Sequence, residues 1–198
     1  MTRGRFIAFE GGEACGKSTQ AALLAASIGA VLTREPGGTA LGEEVRALLL
    51  HADHDVDARA EALLMTAARA QHVAEVIEPA LASGRHVVTD RFTASSLAYL
   101  GAGRGLDLDV VCALSAFATN GLEPDLYVLL DLDPAAAAAR RTRTQDRMES
   151  AGNEFHGRVR DAFLALAADD PDRWLVLDAA GAVDDIAAAV TSRVAAIL

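Results

Sequence analysis

Apolar positions along the chain fall into two rhythms. Phe6–Phe9, Ala30–Thr33, Arg85–Asp90, Asp125–Asp131 and Trp174–Asp178 are short apolar runs bounded by turn residues. They are too short for buried helices and read as strands covered on both faces. Between them, apolar residues recur at helical spacing over Lys17–Ile28, Leu41–Leu50, Ala58–Ser83, Ser95–Leu100, Leu108–Thr119, the stretch after Pro134 and Val183–Leu198. Gly29 and Gly84 stop two of these helices, and Pro79 sits near the end of the long one. Gly101–Gly105 reads as a flexible connector. Strands alternating with helices predict an α/β fold: three layers, α/β/α, around a parallel sheet of about five strands, with its site at the strand C-terminal ends.

The first predicted strand runs directly into Gly11-Gly-Glu-Ala-Cys-Gly-Lys-Ser-Thr19 and then into a helix. Gly11, four residues, then Gly16-Lys17-Ser18 match the phosphate-binding P-loop, and the strand before and helix after supply the context it needs. In such a loop the N–H groups of Gly11, Gly12, Glu13, Ala14, Cys15 and Gly16 wrap phosphate oxygens. The Lys17 ammonium neutralises β/γ charge, and the Ser18 hydroxyl, followed by Thr19, takes Mg²⁺. Lys17 is the only lysine in the chain, every other long cation being arginine. A compact ammonium suits a phosphate cluster where a planar fork does not.

Composition narrows the function classes. At 198 residues and 52% hydrophobic, the chain suits one globular domain over 1–198. A net charge of −10 argues against nucleic acid or anionic membrane as partner. No apolar run reaches the length of a membrane span, and Glu10 interrupts the apolar stretch that follows Arg3 and Arg5. Two distant cysteines, Cys15 and Cys112, suggest a reducing, cytoplasmic setting. His51–Asp55 is acid-rich and reads as a solvated connector, not a metal site.

Further chemistry lies in the loops. Arg85–Asp90 is an apolar strand ending in an acid, the expected Mg²⁺-side carboxylate of a P-loop protein, with Asp90 capping the next helix as the alternative. Arg140, Arg141, Arg143 and Arg147, with Arg158 and Arg160 beyond, surround a polar stretch read as a mobile basic flap over about 141–153 that clamps phosphate. The alternative is a solvated helix face paired with Asp146, Glu149 and Glu154.

Taken together the motifs resemble the thymidylate kinases over nearly the whole chain. The resemblance rests on Phe9–Thr19, Thr33-Arg-Glu-Pro-Gly-Gly-Thr39, Ala67-Ala-Arg69, Thr89-Asp-Arg-Phe92, Ser95-Ser-Leu-Ala-Tyr99, Gly103-Arg-Gly105 and Asp146-Arg-Met-Glu149. It implies transfer of the ATP γ-phosphoryl group to dTMP with Mg²⁺, and a homodimer. By position, Arg46 and Arg91 resemble ligands of the acceptor phosphate, and Glu13 and Asp90 lie near metal or acceptor. Glu35 and Pro36 line the substrate, Arg69 reads the thymine carbonyl edge, Ser96 faces thymine N3 and Tyr99 lies under the deoxyribose. Some members carry an arginine in the P-loop where Ala14 stands here. The transition-state cation is therefore expected from flap residues Arg143 and Arg147, with Arg140 stacking on adenine.

The chain departs from the family at two places. Met65 stands where a phenylalanine usually stacks on thymine, and Leu100 where a glutamine is common. Methionine can still cover an aromatic ring through its sulfur, whereas losing the glutamine amide removes a polar contact that bears on the choice of thymine over uracil; ordinary helix packing is the alternative at both positions. Other readings keep the fold and change the acceptor, or make the chain a nucleotide-driven switch. A guanine-specific Asn-Lys-x-Asp motif is impossible with a single lysine at position 17.

Overall fold

The computed structural model describes residues 2–50, 55–140 and 152–198. Its elements follow in the order β1 Phe6–Gly11, α1 Lys17–Ile28, β2 Val31–Arg34, α2 Ala40–Leu50, α3 Ala58–His72, a π-helical turn Val73–Ile77, and α4 Glu78–Ala82. Then come β3 Val87–Asp90, α5 Thr93–Ser96, a second π-helical segment Leu97–Gly103, α6 Leu108–Thr119, β4 Leu126–Asp131, α7 Pro134–Arg140, α8 Asn153–Asp169, β5 Trp174–Asp178 and α9 Val183–Ala195.

The five strands form one parallel sheet in the order β2-β3-β1-β4-β5. The alternation of side chains across the pleat explains the unbroken apolar runs. Phe6 and Ala8 of β1 face a core with Tyr127, Leu129, Phe92 and Phe163, beneath α4, α5 and α8. Ile7 and Phe9 face the opposite core with Val128, Leu130, Leu24 and Val190, beneath α1 and α9. Helices α2, α3 and α6 pack outside the first layer through two smaller clusters, one around Leu49 and Ala68 and one joining Ala62, Leu100 and Val111.

The stretch 101–105 departs from expectation. Gly101 and Gly103 are buried within the second π-helical segment rather than forming a flexible connector. A Cβ on Gly103 would stand 2.6 Å from the Phe155 ring and one on Gly101 2.8 Å from Leu108. The glycines are there to let α8 and α6 approach the backbone, a packing role that composition alone does not distinguish from flexibility. The long helix expected over 58–83 is present, but its middle widens into the first π-turn directly after His72.

Candidate active site

The sheet's central strand delivers the P-loop. Gly11 has φ 138° and a Cβ there would meet Leu130 O at 2.5 Å, so only glycine passes this close to β4. Ala14 and Gly16 also take positive φ, 55° and 91°, curling the loop back into the start of α1. The first turn of α1 carries no acidic residue and no side-chain cap, leaving its N–H groups and positive dipole end for an anion. Lys17 lies buried across the loop and donates to Gly12 O at 2.5 Å.

Beside the loop, β3 ends at Asp90, whose Oδ2 accepts from Ser18 Oγ at 2.5 Å. Asp90 Oδ1 is buried with no hydrogen-bond partner among the described residues. A bare carboxylate oxygen next to a hydroxyl, both at the phosphate loop, fits a hard cation that takes oxygen ligands. Among the described residues no group of three His, Cys, Asp or Glu is placed to hold a metal ion.

Arg91 follows with φ 75°, a left-handed conformation rare for a residue with a Cβ. That turn sends its guanidinium back under the P-loop, where it donates to Gly11 O at 3.0 Å, Ser95 Oγ at 3.1 Å, Glu13 Oε1 at 2.6 Å and Tyr99 Oη at 3.3 Å. Burial works against the Arg91 charge, but Glu13 and the other acidic neighbours outweigh it and hold the group well above its ordinary pKa. The same pairing works in reverse on Glu13. Burial raises its carboxyl, Arg91 and Lys17 lower it more, and it falls to about 2. Behind them Glu10, fully buried, accepts from Phe92 N, Ser95 N and Ser95 Oγ. Burial is the dominant effect there and lifts its pKa to about 7.

A cavity of about 110 Å³ opens beside Arg91, between the P-loop, α2, α3 and the second π-helical segment. It brings together Glu13, Glu35, Pro36, Arg46, Met65, Arg91, Ser96, Tyr99 and Leu100, all expected from sequence. Arg46 donates to Pro36 O at 3.0 Å, and burial together with Arg34 holds it below its ordinary pKa. Arg69 stands behind Ser96 rather than on the wall, only 2% exposed, and donates to Ser96 Oγ at 2.9 Å, Glu35 Oε2 at 2.7 Å and Phe92 O at 3.0 Å. Sequence reasoning missed Glu61, Leu49, Leu50 and Ser95, which also line the cavity. Glu61 was within reach of it, since it lies four residues before Met65 and so on the same face of α3.

The basic stretch resolves differently. Arg140 donates to Ala179 O at 2.9 Å, Arg158 to Ala102 O and Gly103 O, and Arg160 makes a two-armed pair with Asp131 at 2.7 and 2.9 Å. Arg158 and Arg160 thus brace helix α8 instead of extending a clamp. Arg141, Arg143 and Arg147, and most of the flap expected over 141–153, lie outside the described residues, as does most of His51–Asp55.

Comparison with known proteins agrees with this geometry. The thymidylate kinase family model matches residues 9–190. A thymidylate kinase of Leifsonia xyli subsp. xyli is 53% identical over 199 residues, covering 96% of this chain and 94% of its own. One from Bifidobacterium longum is 50% identical over 200 residues, with 96% and 97% covered. The crystal structure of thymidylate kinase from Ehrlichia chaffeensis superposes with a TM-score of 0.81 at 32% identity, covering 97% of this chain and 99% of that one. A phosphate loop with a cavity beside it, and full-length similarity of this degree, place the chain in the thymidylate kinase family.

Proposed function

We propose that this chain is an ATP-dependent thymidylate kinase that converts dTMP and ATP to dTDP and ADP. The observation that carries the reading is the convergence of two guanidiniums, Arg46 and Arg91, on one cavity that touches the P-loop through Glu13. Paired cations in an acidic protein suit an acceptor that already bears phosphate. Phosphoryl transfer asks for alignment and charge stabilisation more than covalent chemistry. Lys17, the loop amides and the α1 N-terminus hold the donor phosphates. Arg91, hydrogen-bonded to both Gly11 O and Ser95, sits at the seam between donor and acceptor and steadies the charge that develops there. Ser18 and Asp90 would hold Mg²⁺, which supplies neutralisation of the β/γ oxygens when bound.

Met65 and Leu100 cover the base, Ser96 offers the hydroxyl toward N3 and Tyr99 supports the sugar. Arg143 and Arg147 supply the transition-state cation, with Arg140 beside adenine. An arginine in that role contributes about 10³ to 10⁵ in rate, so R143A and R147A each losing less than about tenfold in turnover would remove the flap from the mechanism. The protein acts in the cytoplasm as one domain over 1–198 and as a homodimer. Both cysteines are free, and α3 and α6 leave Leu63, Val110 and Phe117 exposed, Phe117 to 84%. Among the described residues no helix is long and apolar enough to cross a membrane.

The test is ADP formation with Mg-ATP and dTMP, dUMP, UMP, CMP, AMP, GMP or thymidine as separate acceptors. Turnover of about 1 to 100 s⁻¹ with dTMP is expected. ATP hydrolysis indifferent to every acceptor would refute the kinase and favour a nucleotide-driven switch.

A further inference from the structure

An unbroken chain of buried hydrogen bonds runs from the edge strand β2 to the cavity wall. Thr33 Oγ1 lies 2.6 Å from His72 Nε2, His72 Nδ1 lies 3.0 Å from Glu35 Oε1, Glu35 Oε2 accepts from Arg69 Nε at 2.7 Å, and Arg69 Nη1 donates to Ser96 Oγ at 2.9 Å. Thr33, Glu35, Arg69, His72 and Ser96 are all buried, so the hydrogen bonds within the chain weigh heavily in holding its members in place.

The chemistry of the links sets their direction. Burial opposes the charge of Glu35, but Arg69 and the hydrogen bond from His72 outweigh it and keep the carboxyl below its ordinary pKa. An ionised carboxylate only accepts, so His72 Nδ1 donates to Glu35 Oε1, and the Thr33 hydroxyl holds the other ring nitrogen. With its two oxygens taken by His72 and Arg69, Glu35 fixes the Nε edge of the guanidinium. The opposite edge is thereby aimed at Ser96 Oγ and Phe92 O.

Two further observations show that the surroundings are built around this ring. A Cβ on Gly38, at φ 77°, would stand 2.6 Å from both His72 Nε2 and Thr33 Oγ1, so the loop has glycine where the His72–Thr33 pair needs room. Helix α3 also changes to a π-turn at the residue after His72. Such widened turns are found frequently at functional sites.

We infer that His72 is a positioning residue for acceptor recognition: through Glu35 it sets the orientation of Arg69 and hence of the Ser96 hydroxyl on the cavity wall. This rests on the cavity being the acceptor site. The same loop serves the other end of the acceptor, since Pro36 O, one residue from Glu35, holds Arg46. One short segment therefore fixes both the base-side hydroxyl and a phosphate-side cation, and His72 anchors it from behind.

The test compares H72L, H72N and T33V with the unsubstituted protein, reading KM for dTMP, KM for ATP, turnover and melting temperature. Asn places an amide N–H close to the position of Nδ1 and still donates to Glu35. H72L is expected to raise the dTMP KM about tenfold, with ATP KM and saturated turnover within about threefold, and H72N to recover most of that loss. T33V, which removes only the partner of Nε2, is expected to raise dTMP KM about threefold and serves alone if H72L does not fold. A dTMP KM within twofold in H72L, or in T33V where H72L does not fold, overturns the inference. So does an H72N as impaired as H72L. Failure of the unsubstituted protein to use dTMP in the same assay would instead refute the kinase reading.

Discussion

The Ser18 hydroxyl donates to Asp90 Oδ2 at 2.5 Å across 72 residues of sequence, tying the start of α1 to the end of β3. The contact engages one carboxylate oxygen, while the second is buried and without a hydrogen-bond partner among the described residues. D90N removes the charge and keeps the shape. It is expected to cost about 10²-fold or more in turnover with Mg-ATP and dTMP, roughly 3 kcal/mol of transition-state stabilisation, while leaving the melting temperature nearly unchanged. Steady-state rates beside a thermal melt check it, and a D90N protein within fivefold of the original would remove Asp90 from the metal site.

Glu10 makes stability depend on pH near neutrality. Its folded-state pKa of about 7 lies above the ordinary 4.5, so the native state retains a proton that the unfolded chain has released. Stability contributed by this group is full below about pH 4.5 and is lost as pH rises through 7, by on the order of 3 kcal/mol. Glu13 acts in a separate window: with its pKa at about 2, its contribution is full above about pH 4.5 and is lost as pH falls toward 2. The stability difference between E10Q and the original should therefore move in favour of E10Q from pH 5 to 8. A flat difference in denaturant titrations over that range would contradict the burial argument.

Met65 and Leu100 both line the cavity, yet they are held differently. Leu100 is buried in a cluster with Ala62 and Val111, whereas Met65 is half-buried against the Val45–Leu49–Ala68 cluster. M65F should lower the dTMP KM by about threefold to tenfold through ring stacking at little structural cost. L100Q puts an amide into an apolar cluster and should lose about 1–3 kcal/mol of stability. Measuring dTMP and dUMP kinetics in both variants shows whether either position governs the choice of pyrimidine. If M65F leaves both KM values unchanged, position 65 does not touch the base.

Gly103 is closed in by α8, with Phe155 and Val159 in the space its Cβ would occupy. Phe155 in turn meets Tyr99 edge-on, ring centroids 6.0 Å apart. G103A is expected to cost about 1–3 kcal/mol by overpacking and, by displacing Phe155 against Tyr99, to raise the dTMP KM more than the ATP KM. Equal shifts in both would show that the strain does not reach the acceptor side.

Much of the molecule is legible in its sequence. The strand runs needed two buried faces, the P-loop needed its glycines and lysine at fixed spacing, and nine of the residues expected from sequence do line one cavity. These features are local, so periodicity and spacing encode them. The departures are all long-range. Nothing local distinguishes a glycine that lets two helices meet, as at Gly103, from one that lets a chain flex. Glu10 looks like a mere interruption of an apolar strand, and only the arrival of Phe92 and Ser95 from 82 and 85 residues away explains a buried carboxyl there. Arg158 and Arg160 look like phosphate cations until Asp131 and the Ala102 and Gly103 carbonyls claim them.

The sequence by itself determined the alternating architecture and the phosphate loop, because hydrophobic period and glycine spacing act within a single strand-turn-helix unit. The tertiary structure alone decided which charged groups remain for substrate and which are spent inside the protein. Desolvation makes an unpaired buried charge costly, and whether a partner is at hand depends on how distant segments meet.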